Sequence, residues 1–140
     1  MTQSTQTRIL GSLLYLALCI APPANAARHA LLVGISDYSQ SPASDLEGPV
    51  NDVISLKHLL PKWNIPSRNI IPLIDNQATL RQILSKLDSY EKTLTRDDTL
   101  FFFFSGHGTS GLDPHNNFSI SKNSGALIPY DWDTTSAQSA

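Results

Sequence analysis

"DTLFFFFSGHGT" (Asp98–Thr109) is the stretch on which the reading of this chain turns. Its first half is an unbroken apolar run, Leu100–Phe104, closed by four phenylalanines. Its second half holds one histidine, His107, between two glycines. A strand covered on both faces loses the apolar–polar alternation of a half-exposed one, so the run reads as a buried central strand. The triplet after it leaves an imidazole at the strand's end with little side-chain bulk around it.

Toward the N-terminus the pattern changes period. Thr79 and Gln82 form a T-x-x-Q capping box. Leu80, Ile83, Leu84, Leu87 and Leu94 then make one apolar helical face, with Arg81, Lys86, Asp88 and Lys92 mostly elsewhere. Before them lies the apolar run Asn69–Ile74, whose Pro72 puts it near a sheet edge. Pro49 suits the first turn of an earlier helix carrying Val50, Val53, Ile54, Leu56 and Leu60. His29–Ser36 reads as another buried strand, followed by a loop rich in Ser, Asp and Pro (37–48). Beyond the glycine–histidine triplet, Ala126–Trp132 reads as a short strand or hairpin arm.

Strand, helix, strand, helix, strand is the order of an α/β fold with a mostly parallel sheet. In such sheets ligands sit beyond the carboxyl ends of the strands. Ser105, Gly106, His107 and Gly108 fall at that place.

The 140 residues suit about one domain. A net charge of −2 offers nothing to attract nucleic acid or lipid headgroups. The first residues stand apart. Arg8 is the only charge before the apolar run 9–21, which Pro22, Pro23 and Ala24-Asn25-Ala26 follow. A basic start, an apolar middle and an A-x-A end describe a secretory signal peptide. Residues 1–26 are expected to be that signal, cut after Ala26, and 27–140 the folded part, exported to the periplasm or outside. The run is short for a membrane span, which needs about 20 apolar residues; an uncleaved anchor is the alternative. No membrane contact is expected after cleavage. Cys19, the only cysteine, lies in the apolar run behind Leu18, where a lipoprotein signal would have a small residue. Residues 27–140 therefore contain no thiol and can form no disulfide.

A histidine at a rigid strand end can act as base or acid near neutral pH, and a neighbouring backbone N–H can face an oxyanion. Gly-His-Gly alone fits an ordinary loop histidine equally well. Ser105 is not read as this histidine's nucleophile. A zinc set of His107, Asp113 and His115 matches no compact ligand motif, and Asp113-Pro114 reads as a turn. His29 precedes a strand, and His58 reads as part of a solvated helix face.

Taken in order, "HALLVGISDY" (29–38), "LEGPVND" (46–52), a second helical unit and "DTLFFFFSGHGT" resemble the caspase-like cysteine peptidases, peptidase C14 of clan CD. The closer likeness is to metacaspases and their bacterial relatives. It extends over nearly all of 27–140. The resemblance implies a caspase-like three-layer sandwich, incomplete at its C-terminal end. It makes His107 the base and acid of a Cys/His dyad and gives the Gly108 N–H a place in the oxyanion hole. A thiolate would attack, forming an acyl-enzyme that water hydrolyses. Asp52 and Ser105 would line an acidic pocket that takes a substrate Arg or Lys. Without the resemblance, Asp52 is only a first-turn acid favoured by the helix dipole. Leu46 stands where animal caspases carry an arginine, and Pro49 where many metacaspases carry a cysteine.

Protein or peptide substrates follow from this likeness, and no nucleic acid. No cofactor is expected, and no metal ligand is assigned. Calcium dependence is known among metacaspases, but Asp113, Asp131 and Asp133 are not assigned to it. In caspases the histidine lies about 50 residues upstream of the cysteine. Only 33 residues follow His107. The chain is thus expected to be the N-terminal portion of an endopeptidase, inactive alone. The alternative is an inactive pseudopeptidase serving as a secreted binding module.

Overall fold

A computed structural model of the chain describes residues 26–110 and 124–133. The apolar run 9–21 with Cys19, and also Asp113 and His115, lie outside the described residues. The elements are β1 (Arg28–Gly34), α1 (Pro49–Leu59), β2 (Ile70–Ile74), α2 (Leu80–Thr93), β3 (Thr99–Ser105), β4 (Gly108–Ser110) and β5 (Gly125–Leu127).

The first three strands form a parallel sheet in the order β2-β1-β3. Each crossover contains a helix, as parallel neighbours require. Pro72, which cannot donate to a ladder, sits in β2 at the edge of the described sheet, as its position in the sequence suggests.

Within the described sheet the four phenylalanines do not form the central strand. That place belongs to β1, whose residues Ala30 to Gly34 are all buried. β3 holds the other edge of the described sheet and contains no buried residue; Phe102 is 38% exposed. Apolar continuity marks a strand meant for cover on two faces, but it does not say which strand has neighbours on both sides.

β1 divides the core by alternation. Leu31, Val33 and Ile35 pack with Tyr38, Leu73, Tyr90 and Ile128, joined by Ile83, Leu87 and Leu94 around α2. Ala30 and Leu32 pack with Val53 of α1 and with Leu60, Ile65 and Ile70, joined by Leu56, Phe101 and Phe103. The result is helix, sheet, helix: three layers in an α/β fold, the layering that the resemblance implies. Each fully buried leucine or valine of β1 contributes roughly 1.5–3 kcal/mol.

The helices are set as the sequence leads one to expect, with adjustments. Pro49 occupies the first turn of α1 after Gly48. Thr79 caps α2 by accepting from the Gln82 N–H at 3.2 Å. A second cap comes from far along the chain, since Asp131 Oδ1 accepts from the Leu80 N–H at 2.8 Å. Leu80 and Leu84, expected on the apolar face, are 53% and 49% exposed. The helix meets the sheet along Ile83, Leu87, Tyr90 and Leu94, a stripe at three- and four-residue spacing, and the pair 80/84 lies to one side of it.

Candidate active site

At the carboxyl ends of β1 and β3, Gly34 pairs with Ser105, and the Ile35 N–H donates to the Ser105 carbonyl at 3.0 Å. Gly34 is there for close approach. A Cβ on it would lie 2.6 Å from Val53 Cγ2 and 2.7 Å from the Pro49 carbonyl oxygen. The N-terminal turn of α1 therefore rests directly on the end of β1, bringing Asp52 across to the end of β3. There the Ser105 hydroxyl donates to Asp52 Oδ2 at 2.7 Å. The two residues are 53 apart in sequence and form one polar floor.

His107 follows one residue after the bend at Gly106. In a continuous strand residues i and i+2 share a face, which would set Ser105 and His107 side by side. The strand ends at Ser105, and that serine's hydroxyl is engaged by Asp52. The histidine is held separately, on three sides. Its backbone N–H donates to the Tyr38 hydroxyl oxygen at 2.9 Å. Its carbonyl accepts from the Ile128 N–H at 3.0 Å. Its Nε2 lies 2.7 Å from the Ser44 carbonyl oxygen. A carbonyl can only accept, so Nε2 carries the proton, and in the neutral ring Nδ1 is the atom with a lone pair to offer.

Tyr38 is fully buried, with its ring edge against the imidazole at a centroid distance of 4.8 Å. Its hydroxyl accepts from His107 and donates to the Ile128 carbonyl at 3.1 Å. Burial pushes this phenol above the ordinary tyrosine range, which keeps the proton needed for that donation. Gly106 leaves room for it: a Cβ there would stand 2.6 Å from the Tyr38 hydroxyl.

The 36–48 loop that supplies Ser44 is tied down along its length. Asp75 Oδ1 accepts from the N–H groups of Ser36 and Asp37 at 2.7 and 3.0 Å. Asp45 Oδ1 accepts from the Tyr38 N–H at 2.7 Å, and the Ser36 carbonyl from the Leu46 N–H at 2.8 Å. Gly108 opens the β4–β5 hairpin opposite Leu127. Because Ile128 N–H bonds the His107 carbonyl, Gly108↔Leu127 is the wide, non-hydrogen-bonded pair of that ladder. The Gly108 N–H consequently points away from β5.

The structure thus gathers all four residues singled out in the sequence at one end of the sheet: Asp52 and Ser105 in contact, His107 and Gly108 beside them. Sequence reasoning missed two participants. Ser44 acts through its backbone carbonyl, which no residue type announces. Tyr38 carried a signal, as the one aromatic in the loop 37–48. Among the described residues no group of three or more His, Cys, Asp or Glu is placed to hold a metal ion.

The metacaspase, peptidase C14 domain family matches residues 28–138. Metacaspase-1 of Plasmodium falciparum is 39% identical over 120 residues, covering 76% of this chain and 18% of that protein. Metacaspase-1 of Candida albicans is 33% identical over 97 residues, covering 65% of this chain and 21% of its own length. Metacaspase-2 of Arabidopsis thaliana is 28% identical over 121 residues, covering 81% and 28%. The chain belongs to the metacaspase, peptidase C14 family, a family of cysteine-type peptidases. It spans about a fifth of the length of the first curated relatives it matches.

Proposed function

We propose that the protein is a cysteine endopeptidase that cleaves protein or peptide chains after Arg or Lys, with His107 as base and acid. The observation that carries this reading is the Asp52–Ser105 pair, 2.7 Å apart on the same sheet end as His107. A carboxylate that keeps one oxygen on a serine has the other to receive a guanidinium or ammonium. The serine both orients the acid and adds an acceptor to the pocket.

In this reading Nδ1 of His107 takes the proton of an attacking thiol, while Nε2–H stays on the Ser44 carbonyl and fixes the ring. The thiolate adds to the scissile carbonyl, whose oxygen takes the Gly108 N–H. His107 then passes its proton to the leaving amine. Water, deprotonated by the same nitrogen, releases the acyl group from sulfur. Residues 27–140 hold no cysteine, so the thiol comes from polypeptide outside them. These residues alone are accordingly expected to cleave nothing.

The Asp52–Ser105 pair also fits a second reading, a secreted pseudopeptidase that binds basic peptide segments through the same floor without cutting them. A panel of peptides differing only at the residue before the scissile bond separates the two. The intact protein should turn over the Arg and Lys members and spare the Asp member. Binding of Arg peptides without any turnover would favour the pseudopeptidase, and a preference for Asp would contradict both.

A further inference from the structure

We propose that Asp98 is a binding site for the α-ammonium of Ala27, released when the chain is cut between Ala26 and Ala27. Two independent observations meet at that bond. The charge and apolar pattern of the first residues, closing on Ala24-Asn25-Ala26, puts the cut after Ala26. Ala27 is also where long-range hydrogen bonding begins in the described residues. Its N–H donates to Asp98 Oδ1 at 2.6 Å, and its carbonyl accepts from the Thr99 N–H at 2.9 Å.

The acceptor is built before the cut. Asp98 Oδ2 takes both the backbone N–H and the hydroxyl of Thr95, at 2.8 and 2.9 Å. That leaves Oδ1 directed at Ala27. These bonds hold the Asp98 carboxyl below the usual carboxylate range, the Thr95 N–H contributing most and the Ala27 N–H next. An anion is therefore already in place opposite the nitrogen.

The cut itself is a hydrolysis by a processing peptidase acting in trans. Water adds to the Ala26 carbonyl carbon and the C–N bond breaks. Ala26 leaves as a carboxylate, and the Ala27 nitrogen takes up a proton as an ammonium. A neutral amide donor is exchanged for a cation with three N–H groups, at the same point and facing the same oxygen. Two of the charged groups nearby are engaged elsewhere. Arg28 is turned to the Trp63 carbonyl at 3.2 Å, and Asp97 lies 3.9 Å from Arg96. His29 also faces Asp98, and its ring packs edge-on against Tyr90 of α2 at 5.7 Å. The ion pair would clasp the starts of β1 and β3, where Arg28 pairs with Thr99.

The test uses the full chain as exported and processed. Its first residue should be Ala27. The α-amino group, followed by the pH dependence of its acylation, should titrate about one unit above the ordinary 7.7–8.0. At pH 7 that is about a tenfold smaller reactive fraction. In Asp98→Asn the value should return to the ordinary range. A form processed one residue earlier, keeping Ala26 and an intact Asp98, should also titrate normally, because its ammonium is displaced by a residue. An exported chain that stays uncut or begins elsewhere overturns the proposal. So does an unshifted amine in the Ala27 form, or a shift that persists in both altered forms.

Discussion

The Tyr38 hydroxyl lies 2.9 Å from the backbone nitrogen of His107, so a phenol in the loop after β1 holds the backbone of the turn after β3. The same hydroxyl donates to the Ile128 carbonyl, making it the junction of the histidine turn and the segment after β5. Tyr38→Phe keeps the buried ring and removes only this junction. It leaves the His107 N–H and the Ile128 carbonyl without their partner, which should cost about 1–3 kcal/mol in denaturant unfolding. A variant as stable as the parent would show that the hydroxyl does not hold the turn.

Gly34→Ala tests how Asp52 reaches Ser105. The added methyl meets Val53 Cγ2 and the Pro49 carbonyl oxygen well inside contact distance. It should destabilise the chain by about 1–3 kcal/mol through overpacking. Gly48→Ala is the control, since the nearest atom to its new Cβ would be Asp52 Oδ2 at 4.0 Å; its loss should be no more than about 1 kcal/mol, the difference between Gly and Ala at the N-cap of α1.

The rank of the strands gives a sharper contrast. Leu32→Ala, in the buried centre of β1, should lose about 2–5 kcal/mol. Phe102→Lys, at an exposed position of β3, should change stability by no more than about 1 kcal/mol. Thermal unfolding of the two variants would reverse this order if the phenylalanine strand were the central one.

Asp98 predicts a dependence on acid. Its carboxyl is held low in the folded chain, so the stability it contributes is fully present above its unfolded value of about 3.9. That contribution disappears as pH falls through the lower, folded value. Asp98→Asn should therefore be less stable than the parent at pH 6, and the gap should close below about pH 4. A gap that stays constant from pH 6 to pH 2 would contradict the assignment.

Much of this was legible from residues whose physics is local. Pro49 and Thr79 opened helices because a missing N–H and a capping hydroxyl act within one turn. The alternating order of elements fixed a parallel sheet, and the position after β3 fixed the end at which the site lies. What escaped depends on tertiary neighbours. The place of β3 at the sheet edge is set by which strands pair with it, not by its own apolar run. Asp131 caps α2 from 51 residues away, a bond without any sequence period. The Ser44 carbonyl faces His107 only because Asp75, Asp45 and Ser36 fold the intervening loop. Family likeness led one to expect Asp52 and Ser105 in one pocket; their hydrogen bond was not foreseen, and the close approach at Gly34 supplies its physical cause.

Asp52→Asn would keep the partner of the Ser105 hydroxyl and remove the charge. In the intact protein it should raise KM for Arg and Lys substrates at least about tenfold, the scale of a lost charge-assisted bond. An unchanged KM would place the basic side chain elsewhere.

The most direct measurement is turnover of an Arg-directed peptide by the intact protein and by its His107→Ala variant, each before and after thiol alkylation. The account predicts cleavage that falls by about 100-fold or more without the histidine and ceases on alkylation. Cleavage that survives both changes would contradict it, as would an intact protein that cleaves no such peptide at all.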